Sequence, residues 1–271
     1  MKAKMTEALD LYAFPEVGLR LRPGAGVRAL RLARRKPLGA FGLLVIAALV
    51  VAAAFPGLIA TDSPTIVPLT DLNSQRLRAP SMDHFMGTDD QGRDIFSRIV
   101  HGSRLSLEVG IISVAIAALL GTAAGLASGY HGGWADSLIQ RSVDTLIAFP
   151  GLVLALTIVG LLGSEVRNVM IAVGIISAPA FARVVRGSVL VVMNEPYIEA
   201  ARTVGAGGTR LVVWHLLPNV AAPIIVLATA GLGSAILIEA ALSFLGFGAA
   251  PPAPSWGRML AGEGRLYMVS G

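Results

Sequence analysis

The chain contains no cysteine and only three lysines, Lys2, Lys4 and Lys36. The first absence excludes disulfides and thiolate metal sites. The second excludes a P-loop, which needs Gly-Lys followed by Ser or Thr, so ATP is not bound through that motif. The histidines His84, His101, His131 and His215 are scattered, with no pair at metal-binding helical spacing and no His-Glu-x-x-His. His101-Gly-Ser103 lacks the Gly-x-Ser-x-Gly elbow of a hydrolase nucleophile. Metal chemistry and catalysis by the chain itself are therefore not expected. Charge is also scarce, at 14% of 271 residues.

What is abundant is apolar surface: 54% hydrophobic residues and a mean hydropathy of +0.70 point to a polytopic membrane protein rather than a soluble domain. Runs of about 18 residues or more, long enough to span a bilayer, occur at Leu38 to Ala60, Leu105 to Gly129, Val143 to Gly163 and Val220 to Leu245. A fifth, Asn168 to Arg186, is shortened by Arg183 and Arg186, which are expected to mark where that helix leaves the membrane. The first run is preceded by basic residues but lacks a clean cleavage motif, so it reads as an uncleaved span. With five spans, alternate sides hold fourteen Lys and Arg against six. The positive-inside rule then predicts a cytoplasmic N-terminal segment 1–37, an external loop 61–104, a cytoplasmic loop 187–219 and an external tail 246–271 around a membrane domain 38–245. The net charge of +5 is concentrated between Arg20 and Lys36, beside a span, which fits topology and anionic lipid rather than nucleic acid.

The loop between the last two apolar runs reads Glu199-Ala200-Ala201-Arg202-Thr-Val-Gly205, then His215-Leu-Leu217-Pro218-Asn219. Its pattern predicts a short helix from Tyr197 to Val204, a turn at Gly205, Gly207 and Gly208, and a second helix from Thr209 to Leu217 stopped by Pro218. Such a knob, anchored at both ends to spans, would move them when pushed. The order Glu-Ala-Ala, three residues, Gly, nine residues, an apolar position, one residue and then Leu-Pro resembles the cytoplasmic coupling loop of ABC-importer permeases. His215 stands where the broad family has Ile, as in its dipeptide, oligopeptide and nickel branch. The segment His84-Phe-Met-Gly-Thr-Asp-Asp-Gln-Gly-Arg-Asp94, the Phe149-Pro150 region, and Glu239-Ala-Ala-Leu-Ser-Phe-Leu-Gly246 followed by Pro251-Pro-Ala-Pro-Ser-Trp256 are similar to the C-type subunit of that branch.

The resemblance implies an all-α transmembrane bundle working with a second homologous permease, one or two ABC ATPases that carry ATP and Mg, and an external substrate-binding protein, in a bacterial inner membrane. It also implies a sixth helix after the tail segment. No run beyond Gly246 is long enough to supply it, so either the chain is shorter than its relatives or a neighbour completes the bundle. Asp89 or Asp90 is expected to cap a helix, and Arg93, Arg98 and Arg104 to pair with Asp83, Asp89, Asp90 or Asp94. These residues either fix local geometry or, as Asp89, Asp90 and Arg93 suggest, help dock the binding protein. Glu108 and Asp144 read as helix-start caps or partners of Arg104 and Arg141. Glu239, deep in its run, serves either a structural hydrogen bond or the translocation path. An ion-gradient-driven secondary transporter or channel is the alternative class; it would show inverted repeats, and none is found. A membrane scaffold or sensor would use the knob without any path.

Overall fold

The computed structural model describes residues 35–63 and 76–261. Most of the expected segment 1–37, residues 64–75 of the loop 61–104, and residues 262–271 of the expected tail lie outside them. The described elements are helices: α1 Pro37–Ala54, α2 Pro56–Ile59, α3 Ile95–His131, α4 Gly133–Ala148, α5 Gly151–Leu162, α6 Val166–Met193, α7 Pro196–Thr203, α8 Gly208–Leu211, a π-helical turn Val212–Leu216, and α9 Leu217–Phe244. The protein is all-α and polytopic. Four helices, α1, α3, α6 and the continuous stretch from α8 to α9, are long and apolar enough to cross a membrane, and α4 with α5 makes a fifth if the bent pair is one span.

Contacts divide the chain at Ala47, inside α1. The described part of the first unit is the front of α1, with Leu38, Phe41, Leu43 and Leu44 exposed. The second unit, from Ala48 onward, holds all other elements.

Within that unit α3 and α6 pack side by side and parallel. Gly121, Gly125 and Gly129, one turn apart on a single face of α3, meet Phe181, Val185 and Val189 in turn, so residue numbers rise together on both helices. Absent side chains are what permit this approach. A Cβ on Gly125 would lie 2.7 Å from both the Ala182 carbonyl oxygen and the Val185 Cβ, and Gly174 of α6 fits equally closely over Ile116. In a bilayer, where lipid is as apolar as leucine, such small-residue seams let backbones gain van der Waals contact. Antiparallel α9 packs against both helices, meeting α3 nearer its start, with Gly110 against Ile236 and Gly231 against Val114. Val109, Ala117, Val169, Val173, Phe181 and Leu242 fill the resulting core.

Three expected boundaries shift. The second span begins at Ile95, ten residues before Leu105, because the Asp94 side chain accepts a hydrogen bond from the Ser97 amide at 2.7 Å and caps the helix there. The Val143 to Gly163 run is not one helix. Phe149, forced into extended backbone by the proline after it, separates α4 from α5 by a 95° bend. The Asn168 to Arg186 run continues past both arginines to Met193, since each finds a carboxylate on α4. At the far end, Gly246 and Gly248 (φ +94° and +125°) turn the chain back against the start of α3. There Trp256 donates from Nε1 to the Ile99 carbonyl at 3.0 Å and rests on Gly102.

The seam predicts a contrast between two glycines. Gly125→Leu should overpack it and cost about 3 kcal/mol, lowering the thermal midpoint of the purified protein, whereas Gly160→Ala, where a Cβ meets nothing within 4 Å, should leave it unchanged or slightly raised.

Candidate functional site

The knob is built as the sequence suggests up to its turn. Pro196 opens α7, where a missing amide costs nothing, and Glu199 lies in the first turn with Arg202 in the last, each complementing the helix dipole. The turn is a Schellman closure: the Ala206 amide donates to the Ala201 carbonyl at 3.0 Å and the Gly205 amide to the Arg202 carbonyl at 2.9 Å. Gly205 has φ +81°, and a Cβ there would meet nothing within 4 Å. Glycine is required at 205 for backbone conformation alone. At Gly208 the requirement is space, because a Cβ would lie 2.6 Å from the Tyr130 hydroxyl at the end of α3.

Past the turn the expectation fails. Pro218 does not stop the second helix; it sits in the first turn of α9, which continues without interruption. The π-helical turn before it explains why. The Leu217 amide reaches back five residues to the Val212 carbonyl, and this wider turn accommodates the proline ring where an α-helix would clash. The knob therefore runs directly into α9.

Ile198, Leu211, Leu216 and Val220 are buried with Val185 and Val189 of α6, pinning the knob to the glycine seam's own helix. Its outer surface carries Glu199, Ala200, Arg202, Gly205 and Pro218, together with Val204 at 84% and Trp214 at 74% exposure. Ala201 and His215 are half-buried, and Leu217 is exposed. The His215 ring lies 6.2 Å from Tyr197, and the Asn219 side chain caps the His215 carbonyl at 2.6 Å.

Beside the knob, Asp136 of α4 takes a bidentate pair from Arg186 of α6, at 2.7 and 2.6 Å, and a hydrogen bond from Ser128 of α3. Gln140 donates to the same Ser128 hydroxyl at 2.9 Å. Asp144 pairs with Arg183 at 2.7 Å, not with Arg141, and lies well inside α4 rather than at a helix start. Glu108, likewise within α3, is exposed and caps nothing. Both had been expected at helix starts because the apolar runs alone place α3 and α4 too late.

At the opposite end of α3, Asp94 rather than Asp89 or Asp90 is the cap. It also meets His84 Nδ1 at 3.1 Å and accepts from Thr61 at 3.3 Å. Asp89 is fully buried and serves local geometry. It accepts the Gln91 and Arg93 amides at 2.8 Å each, meets Arg93 Nε at 2.5 Å and lies 3.6 Å from Arg98 Nε. Asp90 and Arg93 line a surface hollow together with Arg98, Pro251, Pro252 and Arg258. The sequence pattern Asp94-x-x-Ser97 before an apolar run was the signal for the cap; the neighbouring aspartates masked it. Glu239 is 2% exposed, and its Oε1 accepts from Ser243 at 2.8 Å and Ser255 at 3.2 Å. These bonds tie the returning segment to α9, while Oε2, also buried, has no hydrogen-bond partner. Among the described residues no cluster of His, Asp and Glu could hold a metal ion.

Comparison with known proteins agrees with this architecture. A family described as binding-protein-dependent transport system inner membrane component matches residues 110–269. The chain is 45% identical over 243 residues to the dipeptide transport system permease protein DppC of Alkalihalophilus pseudofirmus, covering 89% of this chain and 78% of that one. It is 44% identical over 239 residues to the glutathione transport system permease protein GsiD of Pectobacterium atrosepticum, covering 88% and 78%. The same figure holds over 237 residues for GsiD of Escherichia coli, covering 87% and 77%. With the helical bundle, the turned knob and these matches in agreement, the chain belongs to the binding-protein-dependent inner membrane components and is a multi-pass permease subunit of an ABC importer.

Proposed function

We propose that this permease imports short peptides and is driven through the α7 to α8 knob by separate ATPases that bind ATP and Mg. The observation that carries the coupling role is the knob itself. It is a closed helical turn whose inner face is locked to α6 by Ile198, Leu211 and Leu216, while its outer face leaves Glu199, Arg202, Val204 and Trp214 exposed. One end is fixed to α6 and the other is continuous with α9, so force applied to the outer face reaches two spans at once. The peptide assignment rests on the names of the relatives, one a dipeptide and the others glutathione permeases. In this reading the knob and the N-terminus are cytoplasmic, as the Lys and Arg distribution suggests. A second permease completes the path, and an external binding protein delivers substrate to the opposite end, where Asp90 and Arg93 lie in the hollow beside the returning segment. ATP binding has to favour one bundle state by a few kcal/mol to shift its population usefully.

Gly205→Val tests the coupling role, since it strains the turn at φ +81° without filling space. The reconstituted complex should insert and hydrolyse ATP while peptide uptake falls about tenfold or more; unchanged coupled uptake would remove the knob from the mechanism. For Glu239, the neutral isostere Glu239→Gln keeps both serine hydrogen bonds and should preserve uptake within about twofold. Glu239→Leu leaves two buried hydroxyls unpaired, at about 1 to 3 kcal/mol each, and should expose residues 246–261 to limited proteolysis.

A further inference from the structure

The peptide path needs a water-facing wall, and Glu239, only 2% exposed, does not provide one. The surface of α4 does. Ser137, Arg141, Asp144 and Thr145, spaced by three, four, seven and eight residues, form one polar stripe along this helix, and all four are exposed. The opposite side of α4, through Ile139, Val143 and Leu146, faces an apolar hollow against Leu120 and Ala178. Arg183 of α6 extends the stripe through its 2.7 Å pair with Asp144, and the two side chains remain 52% and 61% exposed.

The depth of this pair decides what it faces. Gly121 meets Phe181 and Gly125 meets Val185, so Arg183 lies level with Ala123, about two helical turns short of the end of α3 at His131. Closer to that end than Arg183, α6 still exposes Leu190 at 39% and Val191 at 66%, and at nearly the same depth α3 exposes Leu119 at 72%. Exposed apolar residues thus flank the level of the pair on either side. Charges at such depth face a bundle interior or water, not lipid. A dry contact with another subunit is also disfavoured, because exposed Arg141 has no ion-pair partner among the described residues and would be buried unpaired.

We infer that the α4 stripe Ser137–Arg141–Asp144–Thr145, with Arg183, is the water-lined wall of the translocation path and the contact for the charged termini of a zwitterionic peptide. This rests on the peptide-importer reading above. Asp144 supplies an acceptor for an ammonium group, and Arg141 and Arg183 supply donors for a carboxylate.

The absence of native cysteine makes the test direct. Thr145→Cys and, as a control, Leu119→Cys are introduced into the full transporter in inverted vesicles and exposed to a membrane-impermeant cationic methanethiosulfonate. Thr145→Cys should label in the nucleotide-free complex and label about tenfold more slowly when the complex is trapped with Mg-ATP and vanadate; Leu119→Cys should remain unlabelled in both. Absence of labelling at Thr145→Cys would place the stripe in lipid or in a dry subunit interface. An equal rate in both states would place it at the headgroup surface. Either result overturns the assignment. ATP-dependent dipeptide uptake by the cysteine-free parent, measured in parallel, reports separately on the importer reading.

Discussion

The close approach of α3 and α6 along Gly121, Gly125 and Gly129 is the contact on which the rest of the second unit depends. Because the two helices are parallel, the chain between them must travel the length of the bundle backwards, and α4 and α5 do so as a bent pair. The valines that face the glycines, Val185 and Val189, also form the floor on which Ile198 and Leu216 of the knob rest. The opposite end of α3 holds the returning segment through Gly102 and Trp256. A displacement of the knob therefore has a short, packed route into the seam, and α3 continues from the seam to the returning segment.

Several carboxylates fix the geometry of the bundle. Asp94 starts α3, Asp89 gathers the Arg93 and Arg98 side chains, and Asp136 joins α3, α4 and α6 through Ser128 and Arg186. Each of these carboxylates accepts several donors, as burial in an apolar protein demands. Asp144 differs from them in its exposure, and its surroundings rather than its chemistry separate a structural carboxylate from one open to solute.

The spans, the knob and the glycine at its turn were legible in the sequence because each is a local signal: length of an apolar run, or Gly after a short polar helix. Gly205 illustrates this, since its positive φ follows from a helix ending in open space. Pro218 shows where local reading stops. Its usual meaning is a helix end, yet a single widened turn between Val212 and Leu216 absorbs it. The break at Phe149–Pro150 was present in the sequence but outweighed by the apolar run that crosses it. Partners such as Arg183 for Asp144, or Ser255 for Glu239, were not legible, because 39 and 16 residues separate them and only the packed helices bring them together.

The division of α4 from α5 bears on what holds each half in the membrane. With 16 and 12 residues, each half is shorter than the roughly 20 residues a bilayer crossing needs. Pro150 cannot donate the amide hydrogen bond that would anneal them into one rod. Neither half can be released into lipid on its own as a stable segment. In the folded bundle α4 is held from outside itself, by Arg183 and Arg186 of α6 reaching Asp144 and Asp136. The half-length α4 thus depends on a full-length neighbour, α6, for its place in the bundle.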